Sequence, residues 1–255
     1  MRDAADPLLS WLTDLEARHL AERTFPEVRR ALQALSSLYV ERRRKLVEGA
    51  AFDGAGKRAA FALYYGPLHF LLVREIVRAL GAVARAPRTV VDLGCGTAAA
   101  GAAWALEAGG ADVVGVDVNG WALEEARRTV RRLGLSGTFR RGEATQPPHE
   151  GPEVGIVAAF FVNELPPPAR ERLLGRLLEA ARAGSRILVI EPVAKGPIPW
   201  WGSWAEAFRA AGGRDDLWRF RLALPEMLVR FDRAAGLDHR ELTGRSLWIP
   251  GREPG

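Results

Sequence analysis

The sequence predicts a doubly wound α/β fold: a mostly parallel, seven-stranded sheet with helices on both faces, preceded by a helical domain. Three observations carry this. From Thr89 onward, short β-rich apolar runs alternate with helical stretches. The first of those runs ends in a carboxylate and a glycine turn that leads into a helix, Val90-Val91-Asp92-Leu93-Gly94-Cys95-Gly96-Thr97-Ala98. Before Thr89, apolar residues recur at helical spacing instead.

The front of the chain, residues 1–86, reads as helices. Leu8, Leu9, Leu12, Leu15 and Leu20 recur at roughly helical spacing with charges between them, and Asp6-Pro7 offers a cap and a first-turn proline. A second helix is expected from about Pro26 to Val47, with Val28, Leu32, Leu35 and Leu38 on one face and a basic end at Arg42-Arg43-Arg44-Lys45. Gly49–Gly56 reads as a loop. A third, apolar helix is expected to follow Gly66-Pro67 and run to Leu80, with a linker over Ala84–Arg88. This domain is a candidate lid for cofactor or substrate.

In residues 87–255, strands are expected at Thr89–Leu93, Asp112–Asp117, Thr138–Arg141, Val154–Val162 and Arg186–Ile190. Helices are expected at Ala98–Ala108, Ala122–Leu133 and Ala169–Ala183. The strands are apolar without alternation, as strands covered on both faces are, and βα repeats imply parallel pairing. A Trp-rich insertion spans about 194–224. Pro225–Ala235 then reads as a helix, and Leu237–Leu242 with Ser246–Ile249 as a closing antiparallel pair around Thr243-Gly244-Arg245.

Composition narrows the function classes. Of the 255 residues, 48% are hydrophobic and 26% charged, which excludes a disordered chain. No apolar run reaches membrane-spanning length and the start lacks a secretory core, so a cytoplasmic protein without membrane contact is expected. Cys95 is the single cysteine, and no His/Asp/Glu group has ligand spacing, so no disulfide and no metal are expected. Of the net charge of +5, residues 1–86 carry +4, which could face an anionic partner or simply solvate a helical surface.

Around Asp92 the chemistry becomes specific. Glycines at 94 and 96 let the backbone turn sharply and approach a ligand. Asp117, ending the next strand, can accept hydrogen bonds from both hydroxyls of a ribose. Gly94-x-Gly96-x-x-Ala99 also fits a loose dinucleotide fingerprint, so NAD is an alternative ligand. Asp92 opposes it, because a carboxylate beside that turn repels a pyrophosphate, whereas it can bind an ammonium group.

Asp-Leu-Gly-Cys-Gly-Thr (92–97) resembles the first motif of class I S-adenosylmethionine (SAM)-dependent methyltransferases, and Val-Gly-Val-Asp (114–117) their second. Gly142-Glu143-Ala144 is similar to the third, and Val162-Asn163-Glu164-Leu165 to the fourth. The likeness runs over about Thr89–Pro192. It implies a Rossmann-like domain with SAM as cofactor and S-adenosylhomocysteine as product. The implied cofactor-binding residues are Asp92, Gly94, Cys95, Gly96, Asp117, Val118, Glu143, Ala144 and Asn163, with the Glu143 region meeting the adenine. A degenerate domain that binds nothing is the alternative.

Four pieces resemble, more narrowly, the mitochondrial small-ribosomal-subunit methyltransferase-like family and its bacterial relatives. They are Leu35–Arg43, Tyr64-Tyr65-Gly66-Pro67, Phe161–Leu165 and Ile190-Glu191-Pro192. This likeness implies an association with small-subunit rRNA or its assembly. The family's metal-binding cysteines are missing, no added module follows Ile249, and its arginine-proline-tyrosine signature is not clearly matched.

Candidate catalytic residues are Asn163, to orient an acceptor, and Glu164, as a base or a site for a cation. Glu164 could instead cap the helix that prolines 166–168 start. Candidate substrate residues are Tyr65 and His69 just before the cofactor domain, Glu191 at a strand end, and Trp200 and Trp201. Tryptophans interleaved with Arg209, Arg214, Arg219 and Arg221 could stack RNA bases, roof a small substrate, or pack inward. Three functions follow: an RNA methyltransferase acting on small-subunit rRNA, a small-molecule O- or N-methyltransferase, or an assembly factor that binds SAM without methyl transfer.

Overall fold

The computed structural model describes residues 6–41, 53–193, 198–237 and 239–251. The predicted continuation of the second helix to Val47, most of the Gly49–Gly56 loop, and residues 194–197 at the start of the Trp-rich segment lie outside them.

Helix α1 (Pro7–Ala21) starts as expected, with the Asp6 carboxylate accepting the Leu8 amide at 3.0 Å. Helix α2 (Phe25–Glu41) opens with a capping box, in which Glu27 reaches back to the Thr24 amide at 2.8 Å. The next helix differs from expectation. It begins before Gly66-Pro67, as α3 (Ala55–Ala60), widens into a π-helical stretch over Phe61–Tyr65, and continues as α4 (Gly66–Ala79). Pro67 has no amide to donate and its ring would strike a carbonyl of a regular α-turn. The wide turn ahead of it absorbs both, so the helix passes through the proline. The Tyr64 hydroxyl donates to Asp232 and lies 2.7 Å from His239 Nδ1, tying this stretch to the C-terminal part of the chain.

The remaining elements are β1 (Thr89–Leu93), α5 (Ala99–Glu107), β2 (Asp112–Asp117), α6 (Gly120–Arg132), β3 (Gly137–Arg141), β4 (Val154–Ala159), α7 (Pro167–Arg182), β5 (Arg186–Glu191), α8 (Trp201–Ala210), β6 (Arg214–Phe220), α9 (Glu226–Ala235) and β7 (Leu242–Ile249). The sheet order is β3-β2-β1-β4-β5-β7-β6. The first five pair in parallel, and β7 runs antiparallel between β5 and β6. Alternate residues face opposite layers. Val90, Val113, Val157, Leu188 and Ile190 pack on one face with α1, α2 and α4–α6, including Trp11, Leu32, Phe70 and Trp104. Val91, Leu93, Ile156, Ala158, Ile187 and Val189 pack on the other with Leu173 and Leu177 of α7 and Trp204 and Phe208 of α8. The doubly wound, seven-stranded sheet is therefore as predicted.

The closing pair is not. Of the described residues in Leu237–Leu242 only Leu242 is in a strand, as the first residue of β7, which runs unbroken through Thr243-Gly244-Arg245. Its antiparallel partners are β5 and β6, and β6 lies inside the Trp-rich segment. Gly244 makes no turn: a Cβ there would stand 3.1 Å from Leu72 Cδ2, so the glycine lets α4 lie close on the sheet. Within the same segment, Trp200, Trp201 and Trp204 are buried. Its arginines face carboxylates: Arg209 pairs with Asp215, Arg214 with Asp216, and Arg219 and Arg221 with Glu241. No helix among the described residues is long and apolar enough to cross a membrane.

Candidate active site

The carboxyl ends of β1, β2 and β4 open onto a cavity of about 510 Å³, where open α/β sheets bind ligands. Its floor is the β1–α5 loop. Gly94 (φ 65°), Gly96 (φ 50°) and Ala98 (φ 61°) all take left-handed conformations, which turn the chain from strand to helix within five residues. Gly94 is required twice over, because a Cβ there would fall 2.3 Å from the Phe161 ring. Cys95 also lines the cavity, and burial pushes its thiol well above the ordinary range.

Asp92 is 1% exposed and accepts the Gly101 amide of α5 at 2.8 Å. Burial pushes its carboxyl up to about 7; the Gly101 hydrogen bond lowers it and nearby Asp117 raises it further. Asp117 is aimed by two backbone donors, Gly96 N on Oδ2 and Asn119 N on Oδ1, each at 2.8 Å. A carboxylate oxygen can accept two hydrogen bonds, so both oxygens keep capacity for a ligand. Val118 beside it is 62% exposed, an apolar surface at the cavity edge, and Glu143 and Ala144 line the same end.

The opposite wall is the turn after β4. The expected strand to Val162 stops at Ala159, since Phe160 adopts φ 58° and Val162–Glu164 forms a single 3₁₀ turn. Phe160, Phe161 and Glu164 face the cavity. Burial, reinforced by the charges of Glu191 and Asp117, pushes the Glu164 carboxyl up to about 8. The N-terminal helices supply the rest. Phe61 from the π-helical stretch and His69 from α4 line the cavity, and His69 stacks on Phe160 with ring centroids 3.8 Å apart. Burial brings His69 down to about 3, so the ring is neutral. Gly66 makes this approach feasible, because a Cβ there would stand 3.2 Å from Thr97 Oγ1 of the loop.

The structure thus brings together His69, Asp92, Gly94, Cys95, Gly96, Asp117, Val118, Glu143, Ala144 and Glu164. It places Tyr65, Asn163, Glu191, Trp200 and Trp201 outside the cavity lining. Asn163 Nδ2 and its backbone amide donate to the two oxygens of Glu191, and Asn163 Oδ1 accepts from Trp200 Nε1. Trp200 and Trp201 are buried against α7 and α8. Sequence reasoning missed Phe61, Thr97, Asn119, Phe160, Phe161 and Arg172 as lining residues. For Asn119 a signal existed, since Asp117-Val118-Asn119-Gly120 reads as a strand end and helix cap, and its side chain does accept the Ala122 amide. Phe61 and Phe160 gave none, because only the tertiary arrangement turns them inward. Among the described residues, no group of three or more His, Cys, Asp or Glu side chains could hold a metal ion.

The cavity is acidic. Asp92, Asp117, Glu143 and Glu164 line it against one guanidinium, Arg172. Two of those carboxyls are held near or above neutrality, so a cationic ligand would relieve the site. A phosphorylated one would oppose it.

Residues 90–184 match the family model described as a methyltransferase domain. No curated protein matches the sequence significantly. Among solved structures, the chain is similar to a proposed O-methyltransferase from Nostoc punctiforme PCC 73102, at 15% identity and a TM-score of 0.55, over 86% of this chain and 72% of that one. It is also similar to magnesium protoporphyrin IX methyltransferase from Synechocystis PCC 6803, solved with bound SAM. That match has 14% identity and a TM-score of 0.51, over 88% of this chain and 97% of that one. At such identities the likeness speaks for the fold.

Proposed function

We propose that the chain, whose residues 90–184 match a methyltransferase domain, transfers the methyl group of SAM to a small, non-phosphorylated acceptor. The observation that carries this is the cavity itself: four carboxylates against one arginine, closed from the helical side by Phe61 and His69.

The residues fit SAM. Its ammonium and sulfonium are cationic, and the cavity offers raised carboxyls at Asp92 and Glu164. Asp117 would hold the ribose hydroxyls, Gly94 and Gly96 would admit the methionine end, and Val118, Glu143 and Ala144 would border the adenine. When bound, SAM would supply an electrophilic methyl carbon, which an acceptor lone pair attacks as the C–S bond breaks and S-adenosylhomocysteine leaves. The protein's part is alignment and proton removal. Glu164 is the candidate base: a neighbouring cation favours its ionised form, which can then take the acceptor's proton. His69 and Phe61 act as the lid, shielding the site from water.

The RNA reading, including small-subunit rRNA, draws less support from the Trp-rich segment, because Trp200, Trp201 and Trp204 are buried, Trp218 is half-buried, and the arginines near them are ion-paired. An acidic mouth is also a poor neighbour for phosphates.

The test uses SAM labelled on its methyl group, incubated with the protein and a cell extract separated into small-molecule, RNA and protein fractions. Label in the small-molecule fraction, lost with Asp117→Ala, is expected. Label in RNA would replace the acceptor class and retain methyl transfer. Measurable SAM binding with label in no fraction would favour a SAM-binding assembly factor.

A further inference from the structure

We infer that Glu191, Asn163 and Trp200 form a positioning clamp that holds the Val162–Glu164 turn and thereby sets Glu164 and Phe161 into the cavity. The inference rests on the methyl-transfer reading of that cavity, and it gives the start of the Trp-rich segment a role that cofactor binding does not explain.

The clamp joins the buried Glu191 and Trp200 through the half-buried Asn163. Glu191 ends β5 and is 1% exposed. Its Oε1 accepts the Asn163 amide at 3.0 Å and its Oε2 accepts Asn163 Nδ2 at 2.7 Å. Asn163 Oδ1 accepts Trp200 Nε1 at 2.9 Å. Both ends of the Asn163 side chain are therefore engaged within the clamp, the amide nitrogen on Glu191 and the amide oxygen on Trp200. Trp200 is braced in turn. The Arg170 guanidinium lies 5.5 Å from its ring centroid and donates to the Leu165 carbonyl at 2.7 Å. Arg245, opposite Glu191 in the β5–β7 ladder, lies 4.9 Å from the Trp201 ring centroid.

The consequence falls on the residues either side. Phe160, Phe161, Glu164 and Leu165 line the cavity, whereas Asn163 does not. Phe160 holds a left-handed φ of 58°, which an aromatic residue keeps only when its surroundings impose it. Phe161 fills the space over Gly94 that a Cβ would occupy. A turn released from Glu191 would move Glu164 and lift Phe161 from the cofactor loop together.

A reciprocal exchange tests this. Glu191→Gln sets an amide nitrogen against the Asn163 donor, and Asn163→Asp sets two carboxylates against each other. The double variant Glu191→Gln/Asn163→Asp restores the three hydrogen bonds of the clamp, with donor and acceptor exchanged between the two side chains. The introduced amide nitrogen donates to the introduced carboxylate, and the introduced amide oxygen accepts the backbone N–H of position 163. Trp200 then donates to the remaining carboxylate oxygen. Amide hydrogen exchange over residues 162–165 reads the clamp without needing an acceptor. Each single variant should speed exchange there about tenfold, the loss of one net hydrogen bond, and the double variant should return it to the parent rate. In the methyl-transfer assay, each single variant should lower kcat about tenfold while the KM for SAM changes less than about threefold, with recovery in the double. Exchange that is unaltered in the singles, or a double variant as impaired or as poorly folded as either single, would overturn the clamp. A parent protein that labels no fraction, with exchange behaving as stated, would overturn the methyl-transfer reading and leave the clamp standing.

Discussion

Arg18 of α1 and Glu125 of α6 close the seam between the N-terminal helices and the α/β layer. The two terminal nitrogens of Arg18 address the two oxygens of Glu125, and the Glu125 side chain is 4% exposed. Arg18 also binds Asp14, which pairs with Arg132 of α6. A carboxylate buried this deeply is stable only while its partners remain.

That pair predicts an acid limit to stability. Burial alone would raise the Glu125 carboxyl, but nearby His19 and the hydrogen-bonded Arg18 guanidinium outweigh it and bring it down to about 2, from 4.5. A carboxyl lowered on folding stabilises the native state above its unfolded value and loses that contribution as pH falls through about 4.5 to about 2. Arg18→Ala, which strands the charge, should cost about 3 kcal/mol at pH 7. The deficit should shrink steadily in urea titrations between about pH 4.5 and 2. A cost independent of pH would show that the pair contributes by packing alone.

A second prediction concerns Asp117. Its two oxygens are oriented by the amides of Gly96 and Asn119, so replacing them disturbs both the ribose contact and the loop. Asp117→Ala should weaken SAM binding about 10- to 100-fold, the range for hydrogen bonds to a charged group. Calorimetry on the purified protein measures this directly, and an unchanged Kd would remove the ribose from this position.

A third concerns pH in the opposite direction from Glu125. The carboxyls of Asp92 and Glu164 are raised, to about 7 and about 8, by burial above all. Such groups bind more protons folded than unfolded, so the stability of the free protein should fall as pH rises from about 4 to 8. SAM, being cationic, should offset the loss. Melting temperatures taken across this range with and without SAM should therefore diverge toward high pH. Glu164→Gln should flatten the upper part of the curve; parallel curves in the variant and parent would place Glu164 away from the ligand's charge.

The parts of the site that were legible in the sequence share one property: they are local. A strand ending in Asp92, the glycines at 94 and 96, and Asp117 closing the next strand lie within short stretches whose backbone course is set by the residues themselves. The same is true of the helix starts at Asp6 and Thr24. Where the expectations departed, the deciding contact came from elsewhere in the chain. Gly244 read as a turn because a glycine between apolar runs usually is one; its actual reason, the close approach of Leu72, is more than 170 residues away in sequence. β6 was hidden because an edge strand rich in Arg and Asp has no buried face to announce it.

Sequence by itself determined the layering and the course of the loop after β1, because apolar periodicity and turn-forming glycines act over a few residues and need no partner; the cofactor came from the resemblance of its motifs. Tertiary structure alone decided which side chains face the cavity. Asn163 and Glu164 are neighbours in one turn, yet the first is held outward by Glu191 and Trp200, while the second points into the cavity with its proton affinity raised. Burial and hydrogen-bond satisfaction depend on what packs against a residue. For Glu191, Trp200 and Phe61 those neighbours come from distant segments of the chain, which is why the places they take emerged only in the folded molecule.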